Sequence, residues 1–213
     1  AVSDPSDPTG SSCVFVVEKT MPGFSVGEME DLCGMRANPV SSIFLEDVRV
    51  PRENLIGGIG DGTKIALATL DTGRIGIAAQ AVGIAQAAFE AAVKYSKERQ
   101  QFKRPISSFQ SIQNMIADMA VSIDAARLLV YRVCAVRDAG GRFGKEAAMA
   151  KLYASTICSE VASKAVQIHG GYGYSKEYDV ERYFRDAKVT EIYEGTSEIQ
   201  RMVISRWVLS ESM

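Results

Sequence analysis

Among the 26 acidic residues of this 213-residue chain, Glu194 has the surroundings best suited to moving a proton. It stands in Thr190-Glu191-Ile192-Tyr193-Glu194-Gly195-Thr196-Ser197-Glu198-Ile199-Gln200-Arg201, just before a residue pair suited to cap a helix. A carboxylate in a tight, glycine-flanked bend against apolar neighbours is a candidate general base, because the helix end restrains where its oxygens lie. From residue types alone an ordinary acidic helix start is the favoured reading, since carboxylates suit the positive end of any helix.

Other polar residues stand where either a site or a surface would explain them. Arg74 lies mid-helix among small and apolar residues, where a snorkelling surface Arg is the alternative. Arg99 ends a long helical stretch, and a cation there caps a helix as readily as it binds phosphate. Gln167-Ile168-His169-Gly170-Gly171 ends another, and glycines at a helix end let backbone amides approach a nucleotide. Cys13, Cys33, Cys134 and Cys158 form no Cys-x-x-Cys pair and His169 is the single histidine, so no metal site is expected. Free, mostly buried thiols are the default.

The elements that must position these groups fall into two compositional regions. Residues 1–56 are strand-like: Cys13–Glu18, Phe24–Glu28 and Ser42–Val50 read as strands, too few for a stable sheet unless they complete a larger one. Residues 57–213 are helical. Asp61–Arg99 is continuous and Ala-rich, with Gly73, Gly76 and Gly83 implying close backbone approach. Ser108–Asp138 carries Ile112, Met115, Met119, Ile123, Ala126, Val130 and Val133 at bundle spacing. Gly144–His169, Val180–Lys188 and Thr196–Ser210 complete a mainly α chain, an antiparallel four-helix bundle after a small β part. A net charge of -2 gives no footprint for nucleic acid, and charges break the apolar runs short of a membrane span. Ala1–Ser12 is polar, unlike a secretory leader, and a start at Ala1 suggests a processed product or a piece of a longer chain.

Taken as a whole, the Glu194 string closely resembles the signature of the acyl-CoA dehydrogenases. Asp71-Thr72-Gly73-Arg74, Glu98-Arg99-Gln100-Gln101-Phe102, Phe109-Gln110, Gln167–Gly171 and Arg185-Asp186-Ala187 resemble family motifs in order and spacing, from about Phe15 to Leu209. The resemblance implies the later part of a middle β domain followed by the carboxy-terminal helical bundle. Upstream flavin and substrate segments expected in the family are not in this sequence. It further implies FAD-dependent α,β-dehydrogenation of a short acyl-CoA to the trans-2-enoyl-CoA, with Glu194 taking the α-proton while hydride leaves for flavin N5.

The resemblance also distributes roles. The Glu194 amide would bind the thioester carbonyl, with Arg74 orienting the loop and Asp71 and Gly195 on the substrate side. An exposed helical Asp is the other reading of Asp71. Arg99, Phe102 and Gln110, with Gln167, Ile168, His169, Gly170 and Gly171, would meet the FAD of a neighbouring subunit, and Thr196 and Glu198 the flavin nucleotide. Some relatives carry the base immediately before the conserved Arg; here that residue is Gly73, which leaves Glu194 as base. Relatives usually have Gly after the Phe, where this chain has Lys103. Implied partners are an acyl-CoA, an electron-transferring flavoprotein and further copies in a homodimer or homotetramer. The implied compartment is the bacterial cytoplasm or the mitochondrial matrix. A flavin-free helical assembly module and an oxygen-using oxidase are the competing readings.

Overall fold

The computed structural model describes residues 11–211; Ala1 to Gly10, most of the polar stretch noted above, lie outside them. The chain divides into two compact units, one comprising Arg36–Leu70 with the chain up to Leu32, the other Cys33–Met35 with the chain from Asp71 onward.

The first unit holds two antiparallel ladders. Strand β1 (Val14–Phe15) pairs with β4 (Leu55–Ile56), and β2 (Phe24–Met29) pairs with β3 (Ser41–Leu45). Both β1 and β3 are shorter than the apolar runs that predict them. Beyond β1 the Val16 amide still donates to the Asn54 carbonyl at 2.9 Å, but the return bond comes from the Asn54 side-chain amide, which donates to the Val16 carbonyl at 2.8 Å. Beyond β3 the backbone turns away at Asp47, whose φ is +51°. Ile43 and Phe44, consecutive in β3 and so on opposite faces, are both exposed, as two strands alone leave both sheet faces uncovered.

The second unit is an alanine-rich helical bundle. Helix α1 (Gly62–Glu98) crosses the boundary between the units, and its Ala78, Ala81, Ala85, Ala88 and Ala92 are all fully buried. That three-and-four spacing of methyl groups lets the neighbouring backbones come close. Part of α1, with a mean hydropathy of 1.3 over 18 residues, has the length and composition of a membrane span, contrary to expectation. Its alanine stripe instead joins the core with residues of the other helices. Helix α2 (Gln110–Asp138) buries Met119, Ile123, Ala126, Val130 and Val133, the predicted seam. Its start lies two residues later than expected, because Ile106–Ser108 forms a 3-10 turn closed by the Ser108 hydroxyl on the Pro105 carbonyl. It ends in a Schellman turn, with Gly140 at φ +74° and its amide on the Arg137 carbonyl, and the Gly141 amide on the Val136 carbonyl.

Helix α3 (Gly144–His169) contacts α2, α4 (Val180–Val189) and α5 (Ser197–Glu211), and so forms the centre of the bundle. Between α1 and α2 lies a hairpin that helical periodicity did not predict, β5 (Gln100–Gln101) with β6 (Arg104–Pro105). Its two-residue loop, Phe102-Lys103, has φ of +52° and +65°, the left-handed pair that matches strand twist. None of the four cysteines is in a disulfide.

Candidate active site

The loop between α4 and α5 is fastened at both ends. The Ile192 and Tyr193 amides donate back to the Val189 carbonyl, and the Ser197 amide donates to the Glu191 carbonyl at 3.0 Å. The Tyr193 hydroxyl donates to Gln80 Oε1 on α1. Between these fastenings Glu194 takes φ +55° and Gly195 φ +90°. A left-handed non-glycine residue costs on the order of 1–3 kcal/mol and persists only where the surroundings over-determine it.

Here the surroundings act on the carbonyls. Gln200 Nε2 donates to the Glu194 carbonyl at 3.1 Å and to the Gly195 carbonyl at 2.8 Å. Arg74 Nε reaches the Glu194 carbonyl at 3.4 Å, and Lys151 Nζ donates to the Gly195 carbonyl at 2.8 Å. With both carbonyls drawn inward, the Glu194 and Gly195 amides donate to no group among the described residues.

The Glu194 carboxylate lies over α1 at Gly73. A Cβ built on Gly73 would come within 2.4 Å of Glu194 Oε2, so of the three glycines singled out in the sequence this one shows the expected close approach. Gly76 and Gly83 face no atom within 4 Å among the described residues, so no helix of this chain approaches them there. A side chain at position 73 would enter the space the carboxylate holds, so the two alternative positions for a base converge on one place. Arg74 is buried, not snorkelling, and its Nη1 donates to Asp71 Oδ1 at 2.6 Å. Asp71 also packs against the first turn of α3, where a Cβ on Gly144 would meet its Oδ2 at 3.1 Å. Asp71 thus holds Arg74, and Arg74 holds the loop.

Residues 60–209 match the family model described as Acyl-CoA dehydrogenase, C-terminal domain. The chain belongs to the acyl-CoA dehydrogenase family. It is 51% identical over 205 residues to a short-chain specific acyl-CoA dehydrogenase of Clostridium acetobutylicum, covering 96% of this chain and 54% of that one. It is 49% identical over 211 residues to subunit CarC of the caffeyl-CoA reductase-Etf complex of Acetobacterium woodii, covering 99% of this chain and 56% of the relative. The solved butyryl-CoA dehydrogenase of Megasphaera elsdenii superposes with a TM-score of 0.96 at 48% identity, covering 98% of this chain and 55% of that one. The chain therefore spans about half the length of the curated relatives it matches.

A second site in this acyl-CoA dehydrogenase chain is an open groove of about 480 Å³ between the ends of α1 and α3. Tyr95, Arg99, Ile168, His169, Gly170 and Gly171 are among the residues lining it. Gly170 takes φ +61° with ψ -137°, a backbone that favours glycine, and a Cβ on Gly170 or Gly171 would meet nothing within 4 Å. Arg99 stands over the Tyr172 ring at 5.6 Å and has no acidic partner among the described residues. His169 is structural here: buried, stacked on Tyr95 at 4.2 Å, and tied through Nδ1 to the Ala165 carbonyl at 2.8 Å. Burial holds its pKa below the ordinary value, so the neutral ring fits a donating Nδ1.

The other predicted nucleotide contacts are scattered. Gln167 is exposed, Gln110 is exposed at the start of α2, and Phe102 is 85% exposed at the hairpin tip; none lines the groove. Thr196 and Glu198 engage each other at the start of α5. The Glu198 amide first, then the Thr196 hydroxyl, lowers the Glu198 carboxyl pKa.

Sequence reading assigned no role to three groups. Lys151 and Gln200 hold the Glu194 loop although both are fully buried. The clue for Lys151 was a charge on the same α3 face as Ala147, Ala150 and Ala154. The Arg185-Asp186 motif anchors Cys33–Met35: Arg185 Nη1 donates to the Cys33 carbonyl, and the Met35 amide donates to Asp186 Oδ1.

Proposed function

We propose that this chain supplies the base, and part of the dinucleotide site, of an FAD-dependent dehydrogenase acting on a short acyl-CoA thioester. The observation that carries this reading is the conjunction at Glu194 of a carboxylate set over Gly73 and backbone amides that donate to no group among the described residues. Glu194 removes the α-proton of the thioester onto a carboxylate oxygen. The amide of the same residue donates to the thioester carbonyl, offsetting negative charge as it develops, a contribution typically worth several kcal/mol. Arg74, held by Asp71, and Gln200 keep both functions of Glu194 in register.

The groove residues fit a dinucleotide on two counts. Arg99 offers a planar donor fork with no acidic partner among the described residues, and Gly170-Gly171 offers open backbone. Arg99 and Ile168–Gly171 would hold the pyrophosphate and adenosine portions. FAD, when bound, supplies hydride acceptance. Exposed Phe102, Gln110 and Gln167 are assigned to the same cofactor on a neighbouring copy. The name of the Acetobacterium relative, a reductase in an Etf complex, supports an electron-transferring flavoprotein as redox partner and leaves either direction of the reaction open to it.

The test is a visible spectrum of the purified protein with butyryl-CoA added anaerobically. A flavin band that bleaches on addition is expected. A bound flavin that no short acyl-CoA reduces would remove the dehydrogenase reading. A protein devoid of flavin even after incubation with FAD would favour the assembly module, and fast reoxidation in air would favour the oxidase.

A further inference from the structure

Lys151 lies in the middle of α3 with no exposed surface, the largest fully buried side chain of the described residues. Burying an ammonium is costly unless it is partnered, and such groups are normally paired with a carboxylate. Here no carboxylate lies within ion-pair distance among the described residues. The single hydrogen bond described for Nζ is to a neutral acceptor, the Gly195 carbonyl, at 2.8 Å. Three glutamates exert weaker attraction from further away: Glu191 and Glu194 in the α4–α5 connection and Glu198 on α5. Arg74 on α1 opposes them with like charge. A lysine serving stability alone would be a poor choice in this alanine-lined core, where an apolar side chain of similar volume costs less. What Lys151 does reach is the backbone one residue after the candidate base, within a left-handed pair of residues.

We infer that Lys151 is a positioning residue for proton transfer: its buried ammonium pins the Gly195 carbonyl, and thereby sets where the Glu194 carboxylate and amide point. The inference rests on the reading of Glu194 as base. Gln200 holds the same carbonyl from α5, so the loop is gripped from two helices, α3 and α5. The Lys151 contact is the one that depends on protonation. Burial first, and Arg74 second, lower its pKa to about 8, so it titrates near working pH. Loss of the proton weakens the grip on the loop, and turnover falls on the alkaline side.

The folded-state pKa lies below the ordinary 10.5, so between about 8 and 10.5 the unfolded chain binds more protons and stability rises with pH. Activity and stability are thus expected to move in opposite directions across that window. A purely structural lysine would not separate them.

The experiment compares Lys151→Met, which keeps volume, with Lys151→Arg, which keeps charge and donors, in the purified flavin-loaded protein. For Lys151→Met the expected results are kcat lower by ~10- to 100-fold with KM for butyryl-CoA little changed. The alkaline limb near pH 8 should vanish, and Tm should equal or exceed that of the wild type. Lys151→Arg should regain part of kcat and shift the limb to higher pH. Amide exchange by mass spectrometry should accelerate in Lys151→Met at the Ser197 amide, which closes the loop on the Glu191 carbonyl, and not in α3. The wild type alone should show the same local acceleration, beyond the general effect of base, between pH 7 and pH 9.5. Wild-type kcat and loop exchange in Lys151→Met would overturn the inference, as would a fall in kcat matched by lower Tm and faster exchange throughout α3. Glu194→Gln in the same assay separates the two claims. If it turns over normally the base assignment fails, while the exchange data still report whether Lys151 holds the loop.

Discussion

The Glu194 loop and the Arg99 groove are built on opposite plans. Around Glu194 each inward carbonyl meets two donors, the side chains responsible come from α1, α3 and α5, and a single helix position, Gly73, leaves the room the carboxylate occupies. Around Arg99 the arginine has no acidic partner and the glycines meet no neighbour among the described residues, and Phe102, Gln110 and Gln167 are exposed. The loop is fastened from within one chain; the groove is open. Proton transfer tolerates little displacement, whereas a dinucleotide is held by many contacts that further chains can share. Damage to the first site should therefore appear in kcat, and damage to the second in cofactor affinity.

Glu194→Gln breaks the comparison most sharply. It keeps the shape of the loop and removes the proton acceptor, so turnover should fall by about 10²- to 10⁴-fold while flavin content and acyl-CoA binding persist. Stopped-flow reduction of the bound flavin checks the rate, and equilibrium titration checks the binding. Gly73→Ala is the next largest. The added methyl would stand 2.4 Å from Oε2, and the carboxylate, being the end of a flexible side chain, is free to swing away. The fold should therefore survive with little change in Tm while kcat drops by about 10²-fold, the usual cost of roughly 1 Å of misplacement. A Gly73→Ala protein with full activity would show that the carboxylate reaches its substrate from another position.

Arg99→Met moves the damage to the groove. Loss of a charge-assisted contact is worth about 1.5–3 kcal/mol, or roughly 10- to 100-fold in affinity. The apo-protein titrated with FAD should show that loss, and kcat at saturating flavin should be unchanged. If kcat fell instead, the two sites would be coupled and the division drawn above would fail.

The two plans also differ in how far the sequence announces them. The helices of the bundle were legible because their apolar positions repeat at three and four, and the buried seam of α2 runs through the positions that spacing marks. Glu194, Arg74 and Gly73 were legible as a set through family motifs, and the structure brings them together. Lys151 and Gln200 were not, since each sits on an ordinary helix and its purpose exists only after α3 and α5 converge on the loop. Strands β1 and β3 of the first unit were overestimated because β-branched runs predict extension and not pairing, and among the described residues each has one partner strand. The hairpin at 100–105 escaped because Phe102 and Lys103 lack the Asn-Gly or Gly-Gly chemistry that normally marks such a turn.

That hairpin offers the smallest and most specific test. Lys103 occupies a left-handed position, φ +65°, at which the resemblance to relatives leads one to expect Gly. An L side chain there costs roughly 1 kcal/mol, and glycine relieves it at the expense of greater freedom in the unfolded chain. Lys103→Gly should thus raise stability by up to about 1 kcal/mol, seen as a Tm increase of about 2–4 °C for a chain of this size. Lys103 is exposed and outside the lining of the groove, so FAD affinity should not change. An affinity loss that grows at low ionic strength would give Lys103 a second role, as a cation facing the pyrophosphate, and would make the strain at +65° something the chain retains for binding.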